Sequence, residues 1–235
     1  MIKEAIILCG GLGTRLQPVI ENMPKALAPL GAQPFLYYLL QYLKSEKFRH
    51  IILCLGYQHE SISSYLRNIQ LEDIQISYSI EAKPLGTGGA VKNALPLLLG
   101  NTFFIFNGDT FFKIATDSLI ENSKYWNTDI SIALLALENI NRYGSVELSS
   151  VQRIKAFHEK QAQARGIVNG GVYYMYKSVF DKSKDLETFS LEKDILEKRI
   201  NEIKIHGVVF QNYFIDIGIP ENYQRAQKEY HTWLD

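Results

Sequence analysis

The sequence predicts an α/β protein whose mixed, mainly parallel sheet is flanked by helices. In the first half of the chain, apolar segments rich in β-forming residues alternate with helix-like segments. Those strand-like segments are almost continuously apolar, which is typical of parallel strands covered by helices on both faces. In the second half, strand-like segments follow one another through short connections, which indicates a partly antiparallel extension.

The order of the predicted elements is Rossmann-like in the first half and mixed in the second. Strands are predicted at residues 5–9, 50–55, 74–80 and 102–106, with helices at 34–47, 58–68 and 88–99 between them. Further strands are predicted at 129–137, 144–148, 154–158, 168–176, 203–210 and 213–215, and helices at 191–199 and 220–233. No C-terminal hexapeptide repeat is present, so we expect one domain over residues 1–235 without an appended β-helix.

Composition and charge argue against several classes of partner. The 235 residues contain 25 Lys and Arg against 25 Asp and Glu, which argues against binding to nucleic acid or to an anionic membrane. No stretch approaches the roughly 20 apolar residues of a membrane span. Cys9 and Cys54 lie in apolar strand-like segments and are expected to be buried thiols. We therefore expect a cytoplasmic protein.

A glycine-rich segment directly follows the first predicted strand. Gly10, Gly11 and Gly13 let the backbone approach a phosphate chain closely, and Arg15 adds a charged fork suited to phosphate. Because ligands of open α/β sheets bind beyond the carboxyl ends of strands, this segment predicts a phosphate site. A dinucleotide-type turn or a plain tight turn is the alternative. However, Leu16 stands where the dinucleotide fingerprint has glycine, and no Walker lysine follows.

Further charged and glycine residues lie where a polyanion could be bound. Lys25 can place a compact cation on a triphosphate. Residues 86–89 open the third predicted helix, and free N–H groups there could accept an anion or a base edge. Asp109 and Asp216 each follow a predicted strand and are candidate ligands for Mg²⁺, which prefers oxygen ligands. A solvated lysine and simple turns are the alternative interpretations of these positions.

Together, these segments resemble the sugar-phosphate nucleotidyltransferase family. That family opens with a strand, a Gly-Gly-x-Gly-Thr-Arg-Leu loop and a Pro-Lys pair, which here are residues 10–16 and 24–25. The resemblance continues in the family's order through residues 84–90, 107–109, 159–160, 169–171, 190–194 and 216–218. It implies the nucleotide-diphospho-sugar transferase fold, in which residues 1–115 bind a nucleoside triphosphate and residues 116–235 bind a sugar 1-phosphate. The products would be a nucleotide sugar and pyrophosphate.

The resemblance also implies roles for individual residues. The expected nucleotide-binding residues are Leu8, Gly10, Gly11, Gly13, Thr14, Arg15, Glu81, Gly86, Thr87 and Gly108. The expected sugar-phosphate-binding residues are Tyr143, Gly144, Glu159, Lys160, Asn169, Gly171 and Glu192. Arg15, Lys25, Asp109 and Lys160 are the expected catalytic residues, and Asp109 and Asp216 the expected Mg²⁺ ligands. Helix capping by Ser190 explains the block around Glu192 almost as well.

Within the family, the sequence is most similar to the guanylyltransferases that act on D-glycero-α-D-manno-heptose 1-phosphate, which implies GTP as the donor. Mannose 1-phosphate guanylyltransferases and hexose 1-phosphate uridylyl- or thymidylyltransferases are the alternatives. A catalytically silent nucleotide-sugar sensor is an alternative of another class, which the intact charged residues disfavour. The sequence leaves the oligomeric state open, with Tyr173, Tyr174 and Tyr176 as candidates for the subunit surface of a homo-oligomer.

Overall fold

The computed structural model describes residues 2–11, 16, 19–20, 23–69, 71–138, 140–141, 143–159 and 165–234. The strands in chain order are β1 (Lys3–Leu8), β2 (Pro29–Leu30), β3 (Gln33–Pro34), β4 (Phe48–Leu55), β5 (Gln75–Ile80), β6 (Thr102–Asn107), β7 (Thr110–Phe112), β8 (Ile130–Glu138), β9 (Ser145–Leu148), β10 (Ile154–His158), β11 (Arg165–Tyr176), β12 (Ile205–Phe210) and β13 (Phe214–Asp216). The α-helices are α1 (Phe35–Ser45), α2 (His59–Arg67), α3 (Gly86–Ala94), α4 (Asp117–Trp126) and α5 (Pro220–Glu229), and a π-helix spans Leu191–Glu197.

A central nine-stranded sheet confirms the predicted fold class. Strands β5, β4, β1 and β6 are adjacent and parallel, so their carboxyl ends meet at one edge of the sheet. β11 pairs antiparallel with both β6 and β8, and β12 pairs parallel with β8. The strands of the second half therefore continue the sheet of the first half, which confirms the partly antiparallel extension.

Two apolar cores cover the two faces of this sheet. Because successive side chains of a strand point to opposite faces, Ala5 and Ile7 of β1 lie in one core and Ile6 lies in the other. The first core is completed by apolar residues of α1, α2, α4 and α5. The second is completed by α3 and the π-helix. The continuous apolar character of the first-half strands follows from this burial on both faces.

A short antiparallel ribbon brings the end of the chain back to β6. β13 pairs with β7, with Asp216 opposite Thr110, and the N–H of Ile217 donates to the carbonyl of Asp109 at 2.9 Å. Behind the ribbon, Trp233 stacks on Phe111 with ring centroids 4.4 Å apart. The C-terminal segment thus fixes the position of β13 against the middle of the sheet.

Several predicted bounds and one predicted surface need correction. Helix α4 was not predicted, because only Leu119 and Ser123 of its residues are buried and it shows little apolar periodicity. The last helix ends at Glu229 and is followed by a 3₁₀ turn. Tyr173 and Tyr174 are only 1% and 5% exposed because they lie in the two apolar cores, so the expectation that they cover a subunit surface is wrong.

The expectation for the two cysteines is confirmed. Cys9 and Cys54 are both free and buried. Their side chains belong to the cores on opposite faces of the sheet. Among the described residues, no helix has the length and apolar character needed to span a membrane.

A buried polar cluster joins the amino ends of β1 and β4. Glu4 is 2% exposed, and its carboxylate accepts hydrogen bonds from the N–H groups of Leu99 (2.9 Å) and Gly100 (2.6 Å). His50 Nδ1 lies 2.7 Å from Glu4 Oε1, and His50 Nε2 lies 2.9 Å from Ser77 Oγ. Burial acts to raise the pKa of Glu4, but these hydrogen bonds outweigh it and the pKa is lowered.

We predict that Glu4→Ala destabilises the protein by about 3–5 kcal/mol at pH 7, because it leaves buried hydrogen-bonding groups unpaired. A lowered pKa means that this contribution is present above the unfolded-state pKa and is lost as the pH falls through the folded-state pKa. Urea unfolding of wild type and variant should therefore show a difference that shrinks in acid. Glu121→Ala, on the exposed side of α4, is the control and should change little. A difference below about 1 kcal/mol at pH 7 would contradict a stabilising role for the cluster.

Candidate active site

A cavity of about 790 Å³ opens where the parallel strands β1, β4, β5 and β6 end. Its position agrees with the rule that open α/β sheets bind ligands beyond the carboxyl ends of their strands. The residues that line it are Leu8, Gly10, Gly11, Gly56, Tyr57, His59, Ile80, Glu81, Ala82, Lys83, Pro84, Gly86, Thr87, Ala90, Asn107, Asp109 and Glu192. Most of the described residues that were predicted to bind nucleotide therefore share one cavity with Asp109.

Two glycines allow the backbones after β1 and β4 to touch. A Cβ atom on Gly56 would lie 3.1 Å from the carbonyl oxygen of Gly10, and one on Gly10 would lie 3.4 Å from the amide nitrogen of Gly56. A Cβ on Gly10 would also lie 2.8 Å from Glu81 Oε1. Larger residues would push this part of the cavity apart, so it presents bare backbone to a ligand. Gly108, predicted to bind nucleotide, is buried and donates from its N–H to the carbonyl of Leu8 at 3.0 Å.

Glu81 lies at the end of the edge strand β5 with its carboxylate over Gly10. Its backbone N–H donates to the carbonyl of Leu55, and its Oε2 accepts from the N–H of Leu85 at 3.0 Å. Burial raises the pKa of Glu81, although the hydrogen bond from Leu85 acts in the opposite direction. The side chain is thus a fixed acceptor in the cavity wall.

Lys25 and Asp109 form an ion pair at the end of the cavity nearest β6. Lys25 begins a 3₁₀ turn at Lys25–Leu27, and its Nζ lies 2.7 Å from Asp109 Oδ2. The two side chains are only 16% and 27% exposed. The cation is therefore held beside the carboxylate rather than in bulk solvent.

The side chain of Asp216 lies close to the ion pair of Lys25 and Asp109. A Cβ on Gly218 would lie 2.9 Å from Asp216 Oδ1, 3.1 Å from Asp109 Oδ2 and 3.2 Å from Lys25 Nζ. The missing side chain of Gly218 therefore leaves a small space that is surrounded by two carboxylates and an ammonium. Oxygen donors of this kind suit Mg²⁺, which is commonly bound by one or two carboxylates together with substrate phosphates.

The donor set at this point fits a metal that also binds a polyanion. Among the described residues, no group of three or more His, Cys, Asp or Glu side chains is arranged to hold a metal ion. Asp109 and Asp216 are the two residues that would hold such a metal here, with phosphate oxygens and water as the further ligands.

Two N–H groups at the N-terminus of α3 are already paired within the protein, which corrects part of one expectation. Gly86 has φ +71°, in the left-handed region, and opens the helix. The N–H groups of Gly88 and Gly89 both donate to the carbonyl of Phe189, at 3.0 and 3.3 Å. Because the segment before the π-helix crosses this end of α3, those two N–H groups are not free to bind an anion or a base edge.

A polar network connects α3 to the π-helix and to β11. Thr87 Oγ1 donates to Glu192 Oε2 at 2.7 Å and accepts from the N–H of Leu191 at 2.9 Å. Ser190 caps the π-helix by accepting from the N–H of Lys193, and its hydroxyl also donates to Glu192 Oε2 at 3.0 Å. Ser190 is therefore a helix cap, and Glu192 lines the cavity.

The buried hydroxyl of Tyr173 lies on the other side of Glu192. Asn169 Nδ2 donates to Tyr173 Oη at 2.8 Å, and Asn169 Oδ1 accepts from the N–H of Gly171 at 3.0 Å. Burial and the neighbouring Glu192 carboxylate raise the pKa of Tyr173 well above its ordinary value. This arrangement fixes the backbone of β11 where its pairing with β8 is interrupted, between Asn169 and Tyr173.

The remaining sugar-side residues do not line the cavity at the strand ends. Tyr143 packs its ring against Phe214, with centroids 6.2 Å apart. A Cβ on Gly144 would lie 2.6 Å from the carbonyl oxygen of His158, and the next residue, Glu159, is exposed. These residues lie around β9, β10 and β13.

Four predicted residues, Gly13, Thr14, Arg15 and Lys160, lie outside the described residues. Among the described ones, sequence reasoning missed Gly56 and Tyr57. A glycine directly after a buried strand was the available signal, since Gly56 follows β4 as Gly10 follows β1.

A parallel sheet with bare glycine backbone at its strand ends, a half-buried carboxylate and two converging aspartates is the arrangement expected of a nucleotide-binding α/β protein. The model of the Nucleotidyl transferase family matches residues 4–232, and the chain belongs to that family. It is 42% identical, over 98% of its length and all of the relative's, to the D-glycero-alpha-D-manno-heptose 1-phosphate guanylyltransferase of Aneurinibacillus thermoaerophilus.

Two further comparisons agree with this membership. The chain is 40% identical to the enzyme of the same name from Campylobacter jejuni, over 94% of this chain and 96% of the relative. It also resembles the crystal structure of HddC from Yersinia pseudotuberculosis complexed with GMP-PN, at 34% identity and a TM-score of 0.86, over 97% of this chain and all of that one.

We predict that Gly218→Ala impairs nucleotidyl transfer without unfolding the protein. Gly218 has no positive φ, so its backbone tolerates alanine, but the new methyl group would occupy the space between Asp109, Asp216 and Lys25. Displacing groups at a reacting centre costs roughly 10- to 100-fold in rate. Steady-state rates and thermal unfolding should be measured together. An unchanged rate would show that this space is not part of the active centre.

Proposed function

We propose that the protein is a guanylyltransferase that joins the GMP part of GTP to D-glycero-α-D-manno-heptose 1-phosphate and releases pyrophosphate. The observation that carries the donor assignment is the carboxylate of Glu81, held in the cavity wall over the Gly10 backbone. The names of the two relatives support the acceptor assignment. The bound GMP-PN of the structural neighbour supports the guanine nucleotide.

The chemistry of guanine matches a fixed carboxylate. Guanine presents two adjacent donors, N1–H and the N2 amino group, and Glu81 offers acceptor oxygens with no competing donor while it is ionised. Adenine presents an acceptor at N1, and uracil and thymine place carbonyl oxygens on both sides of their single N–H. Each of those bases would leave a buried carboxylate oxygen unpaired or facing another acceptor, which weakens binding.

At the phosphate end, charge neutralisation and positioning supply the catalysis. An oxygen of the sugar 1-phosphate attacks the α-phosphorus of GTP, the bond to the β-phosphate oxygen breaks, and pyrophosphate leaves. Asp109 and Asp216 would hold Mg²⁺, which supplies positive charge to the phosphate oxygens when bound. Lys25, fixed by its ion pair to Asp109, places a second cation beside the same groups.

The acceptor enters from the side of the second half in this proposal. Asn169 and Glu192 belong to the network around Tyr173, so their side chains are held in one orientation. Lys160 orients the sugar phosphate, and Arg15 binds the triphosphate, in keeping with the sequence expectations for both. We place the reaction in the cytoplasm, where GTP is available.

If GTP is the donor, it should be the best substrate among GTP, ATP, UTP and dTTP. With heptose 1-phosphate as acceptor, kcat/KM should be highest for GTP, and Glu81→Gln should lower it about 10- to 100-fold by placing an amide group opposite the guanine donors. Glu60→Gln makes the same change on the exposed side of α2 and should leave kcat/KM for GTP unaltered.

Pyrophosphate release with each triphosphate, and with heptose or mannose 1-phosphate, decides between the alternatives. If UTP or dTTP gives the highest kcat/KM, the guanylyl assignment is wrong while the reaction class stands. If mannose 1-phosphate is the better acceptor, only the heptose assignment is wrong. Release of pyrophosphate with none of the pairs would favour a silent nucleotide-sugar sensor.

The metal assignment predicts that Asp109→Asn and Asp216→Asn each lower turnover by at least about 100-fold while the fold survives. Two carboxylates facing a polyanion are the reason, since an amide cannot supply the same charge. Asp185→Asn removes an equal charge from an exposed segment and should leave turnover unchanged. Circular dichroism checks the fold of each variant. Undiminished turnover in excess chelator would rule out a divalent cation.

A further inference from the structure

The turn between β4 and α2 carries an exposed aromatic side chain beside the cavity. Tyr57 follows Gly56 and is 51% exposed, whereas most aromatic rings among the residues that the structure describes are packed in the cores. It lines the same cavity as Glu81 and Gly10. Exposure of a large ring at the mouth of a cavity is informative, because burying it against a ligand would remove apolar surface from water.

The local backbone holds this tyrosine in place. Gln58 has φ +56°, an uncommon left-handed conformation for a residue with a side chain, and the N–H of His59 donates to the carbonyl of Gly56 at 3.2 Å. Gln58 Nε2 also donates to Tyr57 Oη at 3.1 Å. The ring is therefore attached to a defined turn that directly continues the buried strand β4.

The surroundings of Tyr57 suit a flat ligand. The backbones of Gly10 and Gly56 contact each other and carry no side chains, so they form a flat surface. The N–H of Glu81 donates to the carbonyl of Leu55, and the Glu81 carboxylate lies next to this surface. Ile80, 52% exposed, adds an apolar side chain on the neighbouring strand. A planar base could be enclosed by these groups: an aromatic ring, an aliphatic side chain, and a glycine surface beside one carboxylate.

We propose that the ring of Tyr57 stacks on the base of the bound nucleotide and supplies affinity that does not depend on base identity. Glu81 reads the edge of the base, and Tyr57 contacts its face. The proposal rests on the proposed function only in that a nucleotide occupies this cavity. Base–aromatic stacking is sequence-tolerant, since every base has a π face.

Binding measured by titration calorimetry separates stacking from phosphate binding. Tyr57→Ala should weaken GTP binding roughly 5- to 100-fold, and Tyr57→Phe should retain wild-type affinity because stacking needs the ring and not the hydroxyl. Binding of inorganic tripolyphosphate, which has no base, should be equal in all three proteins. Tyr125→Ala removes a tyrosine that is 79% exposed on α4 and serves as the matched control.

The outcomes distinguish the stacking role from the guanine assignment. Wild-type affinity for GTP in Tyr57→Ala, or failure of Tyr57→Phe to restore it, would overturn the stacking role. An equal loss for tripolyphosphate would also overturn it, because the variant would then have damaged the phosphate site. If the wild-type protein prefers another triphosphate, the same comparison is made with that nucleotide, and only the guanine assignment fails. If the wild type binds no triphosphate, both proposals fail.

Discussion

The whole site depends on the close approach of backbones where the parallel strands end. Gly10 and Gly56 are in contact, and Gly108 donates its N–H to the carbonyl of Leu8, so the ends of β1, β4 and β6 form one continuous surface. Side chains at these positions would separate the strands or fill the cavity. Because this surface is bare backbone, Glu81 can extend over it from β5 while Asp109 continues from β6.

Residues from the end of the chain complete the site through two long-range contacts. Pairing of β13 with β7 brings Asp216 to Asp109, and the segment before the π-helix covers α3 and brings Glu192 to Thr87. The pairing of β13 with β7 is made by backbone hydrogen bonds, and the contact at Glu192 by half-buried hydroxyl groups. Such directional bonds specify one geometry. Such rigid support would keep charged groups close to the phosphate chain of the proposed substrate without rearrangement during the reaction.

Much of the fold followed from the sequence because the signals were local. Continuous apolar strands and intervening helices predicted the parallel part of the sheet, and glycines after a strand predicted the cavity near Gly10. Helix α4 has few buried residues and so gave no periodic signal. The occupied N–H groups of Gly88 and Gly89 could not be predicted, because their partner, Phe189, lies about a hundred residues further along the chain.

The same distinction between local and long-range signals applies to the residues of the site. Asp109 and Asp216 were identified by resemblance, but their convergence on the space at Gly218 depends on β7 and β13, and β7 was not predicted. Tyr57 was missed although Gly56 obeys the same rule as Gly10, a glycine directly after a buried strand. Specificity for the sugar depends on side-chain directions that no local pattern encodes.

The most direct test of the central claim is a crystal structure of the protein with a non-hydrolysable GTP analogue, Mg²⁺ and the sugar 1-phosphate. We expect guanine N1 and N2 within hydrogen-bond distance of Glu81, and a metal ion bound by Asp109 and Asp216 together with phosphate oxygens. A base bound away from Glu81, or phosphates bound away from the two aspartates, would contradict it.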